Sequence, residues 1–496
     1  MKYTLGISAG FHDAAATVVN SQGDIVYAGH SERYSKRKND ADLHAAMFWE
    51  LARGRHIDHI AYYETPWRKQ LRQLQSGQGI EWSKLTARQV LKQQLQGFFT
   101  QVPITTYGHH LSHAAAGFQT SPFERATVVV IDAIGESDTI SIYAAEYDSK
   151  GRAVYRKLWG QRYPHSIGLF YSAVTEHIGL HPLDEEYITM GMSAYGNDPA
   201  VYAQKIEEEL IEDRNEIRFK DNLHAGLDSD FLWAASNEDI AGGAQLVVEN
   251  LIYSVMRRAR DFGWSPNLVY QGGVALNCLA NRNLGEYFEK IWIMPNPGDA
   301  GSSLGAAALA HGGRLNWTNA YLGTEISGPY PVDAIIDTLL SDRIVGVASG
   351  RAEFGPRALG NRSLLADPRG NDIKDRVNAI KRRQKFRPFA PVILEEHVDS
   401  YFDMPCGFVD CRYMQVVARC HAPDLYPAIV HIDGTSRVQT VPKDGSGLRK
   451  LLEAWYARTG CPMLLNTSLN IRGEPMVNDR SDADRFEQLY NVRVCS

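Results

Sequence analysis

Tyr107-Gly108-His109-His110-Leu111-Ser112-His113-Ala114-Ala115-Ala116 carries three closely spaced histidines, which makes it the natural place to look for metal or proton chemistry. The alanine run predicts that this stretch opens a helix. A helix sets His109 and His113 one turn apart on one face, where both imidazoles can reach a single metal ion. A third donor must then come from elsewhere. Asp299 is the best candidate, in the glycine-bracketed turn Asn296-Pro297-Gly298-Asp299-Ala300-Gly301 that runs into the small-residue helix Ser303-Leu304-Gly305-Ala306-Ala307-Ala308. Two imidazoles and one carboxylate with open positions suit a divalent transition metal, iron(II) or zinc by ligand type. The same spacing is more often that of a capping or packing pair, and His110, three residues before His113, allows a second assignment.

These side chains need a frame, and the frame is repeated. Residues 3–36 read as a meander: Tyr3-Thr4-Leu5-Gly6-Ile7-Ser8, then Ala14-Ala15-Ala16-Thr17-Val18-Val19, then Asp24-Ile25-Val26-Tyr27-Ala28 after the turn at Ser21 to Asp24. Residues 126–159 repeat the layout, with Thr127 to Asp132, Thr139 to Tyr143 and Ala153 to Leu158 as strands. Each copy has a small or polar loop after its first strand. This arrangement resembles the actin, sugar-kinase and Hsp70 superfamily, an α/β fold in which duplicated ribonuclease-H-like halves face each other across a nucleotide cleft. The resemblance makes Ser8-Ala9-Gly10-Phe11-His12-Asp13 a first phosphate loop and Asp132-Ala133-Ile134-Gly135-Glu136 a second, where small residues let backbone N–H groups approach an anion. It also assigns Gly272, Gly273 and Asn277, after the strand Leu268 to Gln271, to the adenosine end of the nucleotide. A strand-to-helix turn that merely needs positive φ is the plainer reading of the two glycines.

At 496 residues the chain calls for two domains. We place the boundary in the Gly328-Pro329-Tyr330-Pro331 region, which lacks a clear long helical period, giving domains at 1–335 and 343–496. With 44% hydrophobic and 22% charged residues the composition is that of a globular protein, and no apolar run reaches membrane-spanning length. The opening residues lead straight into a strand rather than a signal peptide, so a cytoplasmic location and no membrane partner are expected. The six cysteines show no C-x-x-C spacing, which points to free thiols. A net charge of −6 argues against a protein that coats nucleic acid with its whole surface, but leaves room for a local basic groove. The segment 66–96 is one candidate: Arg68, Lys69, Arg72, Lys84, Arg88 and Lys92 are opposed only by Glu81, with Trp67 and Trp82 between them. It reads either as a polar helical hairpin or as a surface for a phosphate-bearing acceptor.

The C-terminal part concentrates anion-binding types. Arg357 and Arg362 sit in Glu353-Phe354-Gly355-Pro356-Arg357-Ala358-Leu359-Gly360-Asn361-Arg362-Ser363, where a loop can fork guanidinium groups toward a phosphate or carboxylate. Lys381 and Arg387 belong to a basic run fixed in apolar surroundings by Phe386, Pro388, Phe389 and Pro391, which favours an anion site over a solvated face. Arg437 lies beside a turn in His431 to Thr440. The strand Met463-Leu464-Leu465-Asn466-Thr467-Ser468 ends in amide and hydroxyl groups, continued by Asn470, at the end of a sheet where α/β proteins usually bind ligands.

Taken together and in this order, Gly10 to Ala15, His109 to His113, Gly298 to Gly301, Glu353 to Ser363, Phe386 to Pro391, His431 to Val438 and Asn466 to Pro475 resemble the O-carbamoyltransferases of the nodulation, cephamycin and tobramycin type. The resemblance spans nearly the whole chain. It implies an actin-like transfer domain joined to a YrdC-like C-terminal domain. In the latter, carbamoyl phosphate and ATP, with magnesium, would give carbamoyladenylate, the phosphates being held by Arg357, Lys381, Arg387, Arg437 and Ser468. In the former, the carbamoyl group would pass to an acceptor alcohol, with His109, His113 and Asp299 holding iron(II) and His12 accepting the hydroxyl proton. The chain ends soon after Gly473-Glu474-Pro475, without the longer tail expected of the antibiotic enzymes, and a homodimer is among the assemblies open to it.

The expected acceptor is a small sugar or antibiotic-type alcohol. A hydroxymethylated pyrimidine in DNA, such as 5-hydroxymethylcytosine, is the alternative motivated by the basic 66–96 segment. A non-catalytic ATP-binding regulator on the actin-type fold is the reading from another class, disfavoured because a binding protein has no use for two complete sites.

Overall fold

The computed structural model describes residues 1–75 and 79–496. The chain forms two compact units, one of residues 1–31 and 39–318 and the other of residues 32–38 and 319–496. Among the described residues no helix is long and apolar enough to cross a membrane.

The first unit is built from two sheets of the same plan. Tyr3–Ser8 pairs antiparallel with Ala15–Asn20, which pairs antiparallel with Ile25–His30. On its other side Ile57–Tyr62 and then Ile104–Thr106 run parallel to it. The second sheet repeats this register of directions. Arg125–Ile131 pairs antiparallel with Asp138–Tyr147 and that with Ala153–Arg162, while Asn267–Gln271 and Lys290–Trp292 add on in parallel. Both sheets thus have the meander-plus-two-crossovers order of a ribonuclease-H-like half, and the duplication read from the sequence is present in the fold.

Between the sheets lie two helices made mostly of small residues, His109–Phe118 and Ser302–His311. Small residues are required because the backbones nearly touch. A Cβ at Gly305 would stand 1.8 Å from the carbonyl oxygen of Ser112, and one at Gly6 would stand 2.0 Å from that of Ser303. This close approach brings the start of Ser302–His311, with Asp299 just before it, against the helix that carries His109 and His113. A buried bond between Thr17 Oγ1 and Ser303 Oγ, 2.9 Å long, fixes the helix to the first sheet.

The segment 66–96 contains the helix Pro66–Gln75, a short 3₁₀ turn at Trp82–Lys84 and the helix Ala87–Gln94 with a Thr86/Gln89 capping box. Its residues 76–78 lie outside the described residues.

The second unit centres on a six-stranded mixed sheet. Ile344–Ala348, Arg362–Ala366, Met463–Ser468 and Ala390–Leu394 are successive antiparallel neighbours, and Gln439–Val441 and Val494–Cys495 close the edges in parallel. The helices Val332–Asp342 and Gly447–Thr459 supply its apolar cover through Ile335, Ile336, Leu451, Leu452 and Trp455. Val332–Asp342 falls where the sequence showed no long helical period. It is short, and its amphipathic repeat is confined to three buried positions. Residues 32–38 join this unit: Arg33 Nη2 donates to the Gly355 carbonyl at 3.1 Å, Tyr34 and Thr324 share a hydroxyl pair at 2.7 Å, and Lys36 pairs with Asp482.

Candidate active site

His109 and His113 lie in the first turns of their helix, both buried, with their Nε2 atoms 3.2 Å apart. Asp299 Oδ1 is 3.3 Å from His109 Nε2 and 3.2 Å from His113 Nε2. A second carboxylate completes the group: Asp132 Oδ2 stands 3.2 Å from each of the same two nitrogens. Four donor atoms, each within 4.8 Å of the others, can hold one ion. Ligands at ~2.1 Å from a metal stand ~3.0 Å apart at right angles and ~3.4 Å apart at the tetrahedral angle, so the spacing fits first-row coordination.

Each donor is aimed by its surroundings. The Nδ1 of His113 donates to the Pro297 carbonyl at 3.0 Å, which turns Nε2 toward the carboxylates. Asp132 Oδ1 accepts from the amides of Ala133 at 2.9 Å and Gly273 at 3.3 Å, which turns Oδ2 inward. Gly272 makes this possible. Its φ is +92°, and a Cβ there would lie 2.1 Å from the Ile131 carbonyl oxygen. Such second-layer bonds commonly fix the orientation of metal ligands. Burial works against charge on all four groups, yet the opposed charges and mutual hydrogen bonds win. Both imidazoles are held above their usual range and both carboxylates below theirs. The centre therefore requires positive charge between the carboxylates, from protons or from a metal ion.

A cavity of about 340 Å³ opens from this cluster, lined by His12, Phe11, Glu64, Lys69, Arg72 and others of the first unit. His12 Nε2 is 3.6 Å from Asp299 Oδ2, and its Nδ1 is 3.0 Å from Asp13 Oδ2. Burial pushes the His12 ring down, but the bond to Asp13 and the charges of Asp299, Asp13 and Asp132 outweigh it and raise it to about 9.

The other residues of the two loops are placed as follows. Ser8 ends its strand with a buried hydroxyl that has no hydrogen-bond partner among the described residues, and the Gly10 amide donates to the Ala41 carbonyl at 2.8 Å with φ +97°. Gly135 turns the second loop, its amide donating to the Asp138 carbonyl at 2.8 Å. Glu136 accepts from the Thr65 amide at 2.5 Å and faces Arg68 at 3.5 Å, tying this loop to the start of Pro66–Gln75. Asn277 exchanges two hydrogen bonds with Gln245 and caps the short helix Cys278–Asn281. The Gly272-Gly273 turn presents the Gly273 amide to Asp132.

The second unit assembles a separate cluster. Buried Lys381 Nζ donates to the Ser468 carbonyl at 2.6 Å, the Ser468 hydroxyl at 2.9 Å and Asn470 Oδ1 at 2.6 Å. Burial, followed by the charges of Arg383 and Arg387, holds this ammonium well below the usual lysine range. Asn466 Nδ2 donates to the carbonyl of Ala358 and to Gln439 Oε1. Arg362 is fully buried and donates to the carbonyls of Asn478, Ser349, Asn361, Thr324 and Gly350, so its guanidinium is committed to backbone. Arg357 lies in the loop between Gly350–Glu353 and Arg362–Ala366, and Arg437 ends the strand Thr435–Arg437.

Asp132 is the donor that sequence reasoning placed in a phosphate loop instead. The available signal was its position directly after the first strand of the second copy, opposite a Gly-Gly turn. Glu64 and Lys69, which line the cavity, carried no motif that singled out their pairing.

Comparison with known proteins gives the chemistry. A family model described as the carbamoyltransferase N-terminus matches residues 61–308, and one described as the carbamoyltransferase C-terminus matches residues 336–494. An uncharacterized Synechocystis protein is 32% identical, the match covering 98% of this chain and 94% of that one. Nodulation protein NolNO of Sinorhizobium fredii is 30% identical over 95% of this chain and 76% of its own. Nodulation protein NolO of Bradyrhizobium diazoefficiens is 32% identical over 76% of this chain and 75% of its own. The chain belongs to the carbamoyltransferase family, and it is an enzyme of that class.

Proposed function

We propose that the protein is an ATP-dependent O-carbamoyltransferase working in two stages. In the second unit, carbamoyl phosphate, ATP and water yield carbamoyladenylate with release of phosphate and pyrophosphate. In the first unit, the carbamoyl carbon of the adenylate is attacked by an acceptor hydroxyl, AMP leaves, and the hydroxyl proton passes to His12.

The observation that carries the reading is the position of His12, with Nε2 on the cavity wall 3.6 Å from Asp299 and beside the four-donor cluster. A base needs reach before it needs the right pKa, and a place for His12 on the cavity wall supports that role. To accept a proton the ring must be neutral; Asp13 raises it most, and of the carboxylates that add to this, Asp299 and Asp132 are those the cluster would share with a cation. Lewis acidity toward the carbamoyl carbonyl is what a divalent ion, iron(II) by the family resemblance, supplies at His109, His113, Asp132 and Asp299 when bound.

In the second unit Lys381 is the central cation. Its Ser468 and Asn470 partners mark the place where a phosphate oxygen can exchange for a protein acceptor, and Arg387 adds charge close by. Phosphoryl chemistry relies on such fixed cations rather than on covalent help. Magnesium accompanies ATP in this step.

The test is incubation of the whole chain with carbamoyl phosphate, ATP and magnesium without acceptor, followed by mass spectrometry. Carbamoyladenylate and pyrophosphate in equal amounts are expected. ATP binding without either product would overturn the two-stage scheme.

A further inference from the structure

Glu353 ends the strand Gly350–Glu353 in the second unit and is buried, 2% exposed. Its Oε1 accepts from the backbone amides of Leu359, Asn361 and Arg362 at 2.8, 2.9 and 3.2 Å. Its Oε2 has no hydrogen-bond partner among the described residues, so the hydrogen bonding of this carboxylate is spent on one turn. The Gly360 amide goes instead to the Ser363 hydroxyl at 2.9 Å. The carbonyls of the same turn are held by side chains as well. Asn466 Nδ2 donates to that of Ala358 at 3.1 Å, the Tyr321 hydroxyl and Gln439 Nε2 to that of Leu359 at 2.8 and 3.1 Å, and the Tyr330 hydroxyl to that of Gly360 at 2.8 Å.

Three amides converging on one oxygen form a concave donor site of the kind that holds anions, and here the anion is the chain's own carboxylate. Burying that charge is costly, and the amides together with the attraction of the buried Arg362 guanidinium offset it. The turn is thereby fixed in shape. Between residues 353 and 360 only Pro356 is exposed and only Arg357 is partly exposed, so the fixed turn presents Arg357 and little else.

Asn466 links this turn to Lys381. It lies two residues before Ser468 on the strand Met463–Ser468, so their side chains share one face of the sheet. Ser468 accepts from Lys381 Nζ through its carbonyl at 2.6 Å and its hydroxyl at 2.9 Å. The residue after Arg357 and the ammonium of Lys381 are therefore both tied to the end of one strand.

We propose that Glu353 is a positioning residue for carbamoyladenylate formation, setting through the 359–362 turn where Arg357 meets the phosphates beside Lys381. This rests on the adenylation step assigned to the second unit and adds to it a residue that touches no substrate.

The test follows carbamoyladenylate formation by the whole chain with carbamoyl phosphate, ATP and magnesium, in Glu353→Asp, Arg357→Met and the double variant. Asp keeps the charge and retracts the oxygens by one methylene, so the turn must shift or lose bonds. Rates are taken per folded chain, measured by near-ultraviolet circular dichroism, so that instability does not register as lost positioning. Glu353→Asp is expected to lower kcat/KM by about tenfold or more, because a small displacement of a phosphate-holding group is costly to the rate. In the Arg357→Met background the same change should alter kcat/KM by less than about twofold, since a residue that acts through Arg357 has nothing left to position. Glu353→Gln is nearly isosteric, is the safer variant for folding, and should show the same dependence on Arg357 with a smaller loss. Equal losses with and without Arg357 would make Glu353 a purely structural carboxylate and overturn the proposal, as would full activity of both Glu353 variants. Wild type that forms adenylate while the variants show no coupling removes the role of Glu353 alone. Wild type that forms none removes the two-stage scheme and this role with it, so the two failures are distinguishable.

Discussion

His113 donates from Nδ1 to the Pro297 carbonyl oxygen at 3.0 Å, and this one bond decides which nitrogen faces the cluster. A carbonyl can only accept, so Nδ1 carries a proton, and Nε2 faces Asp132 and Asp299. Two carboxylates beside this nitrogen call for positive charge there, either a second proton on the ring or a cation bound by its lone pair. The fold has thus arranged an electron-rich centre at the floor of the cavity.

From this follows a prediction for Asp132. Replacing it by Ala removes one of four donors and releases the Gly273 amide. Metal retained after dialysis should fall by about tenfold or more, read by elemental analysis per chain. Full occupancy in Asp132→Ala would remove it from the ligand set.

Gly272 is the backbone counterpart of that prediction. Its left-handed φ and the 2.1 Å approach of the Ile131 carbonyl leave no space for a methyl group. Gly272→Ala should cost about 2–4 kcal/mol in urea denaturation. Wild-type stability in this variant would mean that the turn relaxes freely.

The sequence carried most of the frame and part of the site. The two meanders were readable because alternating apolar runs and Gly-containing turns are local signals. His109, His113 and Asp299 were readable from helical spacing and a glycine-bracketed turn. Asp132 was not recognised as their fourth partner, because its role depends on how the second sheet lies against Gly273 across 141 positions of chain. Arg362 reads in sequence as a loop arginine for an anion, and only the fold shows that backbone carbonyls surround it.

That surrounding makes Arg362 a stability prediction. Arg362→Met strands several buried carbonyls at once, each costly without a donor. We expect a loss of about 3 kcal/mol or more, seen as a lowered thermal midpoint. An unchanged midpoint would show that water or a neighbour takes over those acceptors.

Acid stability should depend on Glu396. Its carboxylate accepts two bonds from buried Arg449, at 2.7 and 2.6 Å, and the hydrogen bonding to Arg449 holds it down at about 2 against an ordinary 4.5. A depressed carboxylate contributes stability that is complete above its unfolded pKa and is lost as pH falls through the folded one. The thermal midpoints of wild type and Glu396→Gln should therefore differ at pH 6 and converge between about pH 4.5 and 2. A constant difference across that window would contradict the assignment.

The division of labour between the two units is the central claim, and one side-by-side assay tests it most directly. Lys381→Ala and His113→Ala are each supplied with carbamoyl phosphate, ATP and magnesium without acceptor, and carbamoyladenylate is quantified. Lys381→Ala should lose adenylate formation by about a hundredfold or more, as expected when a fixed cation is removed from phosphoryl chemistry. His113→Ala should form the adenylate at the wild-type rate and fail only when an acceptor is added. Equal loss of adenylate in both variants would contradict the account.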